Sequence, residues 1–269
     1  MEETPILKAH GLCKCFGAVT AASDVCADIR KDAVVGLIGA NGAGKTTFIN
    51  MITGYLKPSS GTIHFRDRDI TDLPPREITR MGVSRSFQIP QLYDSLSVED
   101  NLLVGLGIVS LTGKKSFLSL SSREDSVTDM DSVKTIMERF GLIDYRNKPA
   151  VVLPGGVRKL LDIAMSMVGK PQIMLLDEPT SGINADEKFG IMDMIMEALQ
   201  AEGVTVLFVE HDMDIVSRYS DRVLAFYEGR VIADGIPGEV LADSEVRRYV
   251  IGGDHKHKTE KGDPDNAQN

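Results

Sequence analysis

Long apolar runs are missing from this chain. Stretches such as Val206-Leu207-Phe208-Val209 end after a few residues, far short of the roughly 20 needed to cross a bilayer as a helix. The opening segment, Met1-Glu2-Glu3-Thr4-Pro5, has neither the basic nor the apolar region of a secretory signal. These absences predict a cytosolic chain, one that reaches a membrane only by docking on another protein. Positive charge is also in short supply. The 30 Lys and Arg face 39 Asp and Glu, a net charge of -9, which speaks against broad nucleic-acid binding. It leaves phosphate ligands open, because a local nest of backbone N–H groups is positive even on an acidic protein. Cysteine is scarce: Cys13, Cys15 and Cys26 form no CxxC and have no second metal-ligand pair. They read as reduced thiols in a strand-rich region, in keeping with a reducing compartment.

Against these absences stands one dense motif, Gly39-Ala40-Asn41-Gly42-Ala43-Gly44-Lys45-Thr46-Thr47. It fits the P-loop pattern GxxxxGK(S/T). The apolar stretch Val34–Ile38 runs into it, and Phe48, Ile49, Met51 and Ile52 follow at helical spacing. Glycines let the backbone wrap so that several N–H groups point at phosphate oxygens. The next helix adds the positive end of its dipole. Lys45 is expected to reach the β- and γ-phosphates and the Thr46 hydroxyl to ligate Mg²⁺. The chain therefore reads as a binder of nucleoside triphosphates.

The length, 269 residues, suits one large α/β domain or a domain with an inserted subdomain. Residues 6–30 and Gly61–Phe65 read as strands that form a small antiparallel sheet beside the P-loop unit. Residues 89–152 change character and predict a helical insertion, with helices over Val98–Leu106 and Val127–Phe140 and a Ser/Thr/Lys-rich loop over 110–126. Arg158–Val168 also reads as helix. From 170 onward the α/β pattern returns. Ile173–Leu176 and Val204–Val209 are uninterrupted apolar runs, as in buried parallel strands. Between them, Phe189, Met192, Ile195, Met196 and Leu199 share one helical face over 185–201. Arg222–Tyr227 and Arg230–Ala233 predict a hairpin, and a short helix is expected near 243–250. The polar tail 253–269 reads as disordered.

Two carboxylates, Asp177 and Glu178, follow the run 173–176 in a Walker B arrangement. A buried strand there delivers Asp177 to a Mg²⁺ shell at its C-terminal end, where α/β folds place ligands, and leaves Glu178 to polarise a water. His211, in Glu210-His211-Asp212, ends the neighbouring run Val204–Val209. A neutral imidazole at that edge can hydrogen-bond a γ-phosphate and hold the water in line with Glu178.

Taken in order, these residues resemble the ATP-binding subunits of ATP-binding cassette (ABC) transporters from about residue 5 to residue 252. The P-loop is joined by Gln88 within Ser86-Phe87-Gln88, a signature region at Leu153-Pro154-Gly155-Gly156-Val157, and a D-loop at Ser181-Gly182-Ile183-Asn184. Phe87–Leu92 and Glu210-His211-Asp212-Met213 are similar to the branched-chain amino acid uptake group. The resemblance implies an α/β P-loop (RecA-like) core with an antiparallel β subdomain and an inserted helical subdomain. Its implied boundaries are 1–88 for the β subdomain and first half of the core, 89–168 for the helical subdomain with the signature, and 169–252 for the second half of the core.

The resemblance also implies roles. ATP and Mg²⁺ would be the ligands, with Thr46, Gln88 and Asp177 around the metal and Glu178, His211 and Gln88 at the attacking water. Phe16 matches the aromatic that stacks on adenine, although a core phenylalanine is a rival reading. The chain would work at the cytoplasmic face of the cell membrane with separate permease subunits gripped by its helical subdomain. A second cassette, in a heterodimer rather than a homodimer, would pair with it head to tail. An external solute-binding protein would take part indirectly. A lipid-exporting ABC ATPase and a soluble ABC ATPase are the alternatives. A P-loop GTPase is disfavoured, since Asn147-Lys148-Pro149-Ala150 lacks the aspartate of a guanine motif.

One motif departs from its family pattern, usually LSGGQ. Pro154 brings neither the serine hydroxyl nor a backbone N–H, and Val157 has no side-chain amide. Two readings follow: an asymmetric pair in which the site completed by 153–157 turns over slowly, or a tolerated variant of ordinary activity.

Overall fold

A computed structural model describes residues 4–86, 91–112 and 123–252. Gln88, the segment 113–122 and the tail 253–269 lie outside the described residues. The chain opens with β1 (Leu7–Phe16) and β2 (Val19–Ile29), then β3 (Val34–Gly39) and α1 (Lys45–Ile52). β4 (Ser60–Phe65), β5 (Arg68–Asp69), α2 (Pro75–Arg80) and β6 (Val83–Ser86) follow. Helices α3 (Val98–Thr112), α4 (Arg123–Arg139) and α5 (Gly155–Met167) come next. The chain then alternates β7 (Ile173–Asp177), α6 (Ala185–Ala201), β8 (Thr205–Val209) and α7 (Met213–Tyr219). It closes with β9 (Arg222–Tyr227), β10 (Arg230–Gly235), α8 (Pro237–Ala242) and α9 (Ser244–Val246).

The strands form two sheets. One is antiparallel, in the order β2-β1-β4-β5; the other runs β10-β9-β3-β8-β7-β6. In the second sheet every neighbouring pair is parallel except the hairpin β9–β10. Strands β3, β8, β7 and β6 therefore end on one edge, where the P-loop, Asp177, Glu178 and His211 lie at or just after the ends of β3, β7 and β8. β3 is buried along its whole length, as a central parallel strand covered on both faces must be.

Strand alternation sorts the apolar side chains into two cores. Val35, Leu37, Ile173, Leu175, Leu207 and Val209 pack with Phe48 and Ile49 of α1 and with the antiparallel sheet. Met174, Leu176, Val206 and Phe208 pack on the opposite face with α5, α6 and α7. The inserted helices add Val98, Leu102, Val133 and Met137 to that same second core. α6 shows why its segment is helical. Its buried face is Ile191, Met192, Ile195, Met196, Ala198 and Leu199, and Asp186 and Glu187 sit in the first turn, where the dipole favours negative charge. Gly203 then ends it with φ +64°.

Several expectations are corrected. Of the loop expected over 110–126, residues 110–112 belong to α3 and 123–126 to α4, and the rest lies outside the described residues. Polar composition does not prevent a helix whose apolar face is supplied further along, here by Val133 and Met137. The helix expected from Arg158 begins at Gly155, with Pro154 as its N-cap. The short helix expected near 243–250 is α9 followed by a π-helical turn over Arg247–Ile251.

Candidate functional site

The loop between β3 and α1 is held from behind. Gly229 N donates to Ala43 O at 2.9 Å, and Ser23 N donates to Gly229 O at 2.8 Å. The β9–β10 turn and β2 thus buttress it. Two of its glycines answer to this packing. A Cβ on Gly39 would lie 2.6 Å from Phe226 O, and one on Gly44, at φ +108°, would lie 2.9 Å from Ala21 O. Gly42 differs: at φ +80° it has nothing within 4 Å of its Cβ position, so its glycine serves the backbone shape and the open side of the loop. Lys45 is buried, and its ammonium donates to Gly39 O at 2.5 Å and Ala40 O at 3.1 Å. The side chain is folded back over the loop that the sequence reading has it cross towards phosphate. Thr46 is exposed at the start of α1.

Asp177 ends β7 on the face shared with α1. Its Oδ2 accepts from Arg85 Nη2 at 2.7 Å, and the same guanidinium donates through Nη1 to Asn50 Oδ1 at 2.6 Å. Glu178 turns away in a left-handed conformation, φ +46°, a cost a non-glycine residue bears mainly at functional turns. Its N–H is tied to Val209 O at 3.0 Å. The turn brings Glu178 Oε1 to 3.1 Å from His211 Nε2. Both side chains are partly exposed, so a water can reach them.

Other participants carried no local signal. Glu210 is buried; its Oε1 accepts from Thr180 N at 2.8 Å and Thr180 Oγ1 at 2.7 Å, and its Oε2 accepts from His211 N at 3.2 Å. One carboxylate thus fixes both the His211 loop and the start of the D-loop. Lys159, on α5, is buried and donates to Asp177 O at 3.4 Å. Burial pushes its pKa down, and Asp162, Asp177, Glu210 and Glu178 pull it back up.

Phe16 is 52% exposed at the end of β1, which removes the core reading, and Lys14 Nζ lies 5.4 Å from its ring centroid. The signature residues lie on the other side of the sheet from α1. Leu153 is buried, Pro154 caps α5 with no side-chain hydrogen bond, and Val157 packs partly buried on the second core. A Cβ on Gly156 would sit 3.0 Å from Ile191 Cδ1, while one on exposed Gly155 would meet only Gly182 O at 3.9 Å. Packing explains Gly156 but not Gly155, which is exposed. P-loop, Asp177, Glu178 and His211 are thus gathered at one sheet edge, and Leu153–Val157 stand apart from them.

The donor set fits a magnesium-bound triphosphate. A carboxylate and a hydroxyl are hard oxygen ligands, and Mg²⁺ binds through one or two such groups plus phosphates. Among the described residues no group of three or more His, Cys, Asp or Glu could hold a metal alone.

A mainly parallel sheet, a glycine-shaped loop after its central strand and an acid–histidine pair at adjacent strand ends define a P-loop nucleoside triphosphatase with a helical insertion. Comparison with known proteins narrows the class. Residues 22–181 match the ABC transporter family. The chain is 38% identical over 250 residues to the high-affinity branched-chain amino acid transport ATP-binding protein LivG of Salmonella typhimurium, covering 92% of this chain and 98% of that one. It is 34% identical over 252 residues to BraF of Pseudomonas aeruginosa, of similar description, with 92% and 98% covered. A solved ATP-binding cassette of an ABC transporter superposes with TM-score 0.79 at 31% identity, covering 91% and 98% of the two chains. The chain belongs to the ABC transporter family, as an ATP-binding and ATP-hydrolysing cassette subunit. None of its described helices is long and apolar enough to cross a membrane.

Proposed function

We propose that this cassette powers uptake of branched-chain amino acids, or closely related small polar solutes, from the cytoplasmic face of the membrane. It does so through separate permease subunits fed by an external binding protein. The observation that carries the ATPase chemistry is the 3.1 Å contact between Glu178 and His211 beside the P-loop. The substrate class rests on the LivG and BraF likeness over 92% of the chain.

In this reading Phe16 stacks on adenine, and residues 39–47 cradle the phosphates with Lys45 released from its loop carbonyls. Thr46, Asp177 and Gln88 hold Mg²⁺, which when bound neutralises charge on the β- and γ-phosphates. Glu178 takes a proton from water as the water oxygen attacks the γ-phosphorus. The bond to the ADP oxygen breaks, and inorganic phosphate leaves. His211 holds the γ-phosphate and keeps Glu178 in line. The helical subdomain, 89–168, docks on the permease; Val151 and Val152 are 61% and 63% exposed there.

A second, different cassette completes the site on this chain's P-loop with its signature, and this chain's signature completes the partner's site. Because 153–157 lack the serine and glutamine groups, the site this chain completes hydrolyses slowly, and the site built on its own P-loop turns over. Co-expression with candidate permeases, followed by ATP-dependent uptake of labelled leucine in proteoliposomes, tests the substrate class. Leucine failing to compete with other solutes would refute it. Pro154→Ser with Val157→Gln tests the asymmetry: the ATPase rate of the assembled transporter is expected to rise, and an unchanged rate sinks it.

A further inference from the structure

Arg85 is the residue at this site with no role in the reading above. It lies on the edge strand β6, in register with Leu175 of β7. Leu175 and Asp177 share a face, and Arg85 reaches diagonally along that face. Its side chain is 10% exposed and that of Asp177 is 14% exposed. The guanidinium spends two of its donors on acceptors from different elements, Asp177 Oδ2 at 2.7 Å and Asn50 Oδ1 at 2.6 Å. Asn50 belongs to α1, the helix that begins with Lys45 and Thr46. A planar fork suits such a bridge, and an ammonium does not, because its donors are not fixed in a plane.

Charge makes the placement more than a tie. Asp177 is followed directly by Glu178, and the buried carboxylate of Glu210 is close by on the His211 loop. Two further buried cations lie in the neighbourhood: Lys159 donates to the carbonyl of Asp177 and Lys45 to the carbonyls of Gly39 and Ala40, while Arg85 is in direct contact with the Asp177 carboxylate. A part-buried carboxylate among other carboxylates attracts a divalent cation unless a resident cation balances it. Arg85 is that resident cation.

We propose that Arg85 is a positioning residue that keeps the Asp177 carboxylate charge-balanced and tied to α1, so that this carboxylate accepts a divalent cation only together with a nucleoside triphosphate. The triphosphate supplies the further oxygens and negative charge that outweigh the guanidinium, and Oδ1 of Asp177 remains for the cation while Oδ2 stays on Arg85. The inference rests on the reading of Asp177 as a carboxylate of the Mg²⁺ shell.

The test is Mn²⁺ binding to the full chain without nucleotide, followed by the electron paramagnetic resonance signal of free Mn²⁺. Arg85→Gln is expected to bind Mn²⁺ about tenfold or more tightly than wild type, the scale of one charge-assisted hydrogen bond. Arg85→Lys keeps the charge and is expected to stay nearer wild type. Asn50→Ala loosens the fork without removing the cation, and a two- to threefold gain (roughly) is expected there. It serves where Arg85→Gln fails to fold. Adding Asp177→Asn to either variant should abolish the gain. A purely structural Arg85 lowers thermal stability in these variants and leaves Mn²⁺ binding at the wild-type level, which overturns the proposal. Asp177→Asn alone separates the two layers. If it loses the Mg²⁺ dependence of ATP binding while Arg85→Gln gains no Mn²⁺, the Arg85 inference fails; if it keeps that dependence, the reading of Asp177 fails.

Discussion

Glu210 offers the sharpest check on how the catalytic edge is held. Its two oxygens are fully committed: Oε1 accepts from the N–H and hydroxyl of Thr180, and Oε2 accepts from His211 N. Thr180→Val removes one donor at nearly constant shape and leaves the carboxylate held by two N–H groups. A buried charge-assisted hydrogen bond contributes about 2 kcal/mol. In a chain of this size that lowers the thermal midpoint by about 4–8 °C. Glu210→Gln is harsher. With its oxygen towards Thr180, its NH₂ faces the N–H of His211; flipped, it faces both Thr180 donors. Either way donor meets donor, and the expected cost is about 2–4 kcal/mol.

The functional consequence separates binding from chemistry. Glu210 spends both oxygens on Thr180 and His211, so ATP affinity should hold. His211 is displaced relative to Glu178, and misplacement on the ångström scale lowers kcat by about tenfold to a hundredfold. Urea denaturation, a fluorescent-nucleotide binding assay and ATPase of the assembled transporter measure the three quantities. Glu210→Gln with wild-type stability and wild-type kcat refutes the reasoning. So does Thr180→Val proving as costly as Glu210→Gln.

Glu178→Gln should keep ATP binding and lower hydrolysis by roughly 10²- to 10⁴-fold, the usual contribution of a general base; near wild-type single-turnover rates remove Glu178 from that role. Gly42→Ala and Gly44→Ala should part company in stability: Ala at a left-handed position costs about 1–2 kcal/mol, and only Gly44 adds a clash, with Ala21 O at 2.9 Å. Denaturation midpoints should therefore rank Gly44→Ala below Gly42→Ala. Burial and the hydrogen bond to Asp193 push the Tyr219 hydroxyl well above its usual value of 10.0. The folded state then keeps a proton that the unfolded state gives up, so the stability from Tyr219 is whole below that value and declines as pH climbs above it. Tyr219→Phe should flatten the alkaline decline seen in urea midpoints and cost about 1 kcal/mol at neutral pH.

What the sequence revealed follows from how local each feature is. The P-loop, β7 and β8 are contiguous runs whose glycines, apolar residues and terminal carboxylates sit side by side, so spacing alone places them. The 92-residue separation of Arg85 from Asp177 and the 30-residue separation of Thr180 from Glu210 are fixed by strand order, which no local pattern encodes. Lys159 looks like a surface residue on a basic stretch until α5 packs against the end of β7. β6 escaped notice for a related reason. Val83-Ser84-Arg85-Ser86 has one apolar residue, yet its Arg and second Ser face inward. Phe16 was ambiguous because a phenylalanine in a strand is usually core, and only its place at the strand's exposed end decides otherwise.

The two faces of the sheet bear on how the proposed pairing with a second cassette would reach the catalytic edge. Asp177 projects its carboxylate towards α1 and the P-loop, while its carbonyl is touched from the opposite face by Lys159 of α5. α5 begins at the signature residues, with Gly155 beside the Gly182 turn of the D-loop. A partner phosphate arriving at Gly155 therefore lands on a helix whose second turn touches the main chain next to Glu178. It also lands beside a turn that Thr180 and Glu210 fasten to His211. The link is short in contacts, since Lys159 of α5 reaches Asp177 O and Gly155 lies beside Gly182 of the D-loop. Pro154 leaves the first turn of α5 without a side-chain cap, so that turn has fewer groups to offer the partner's phosphate than a serine there would give it. In the proposed asymmetric pair, that loss falls on the site this chain completes for its partner rather than on the site built on its own P-loop.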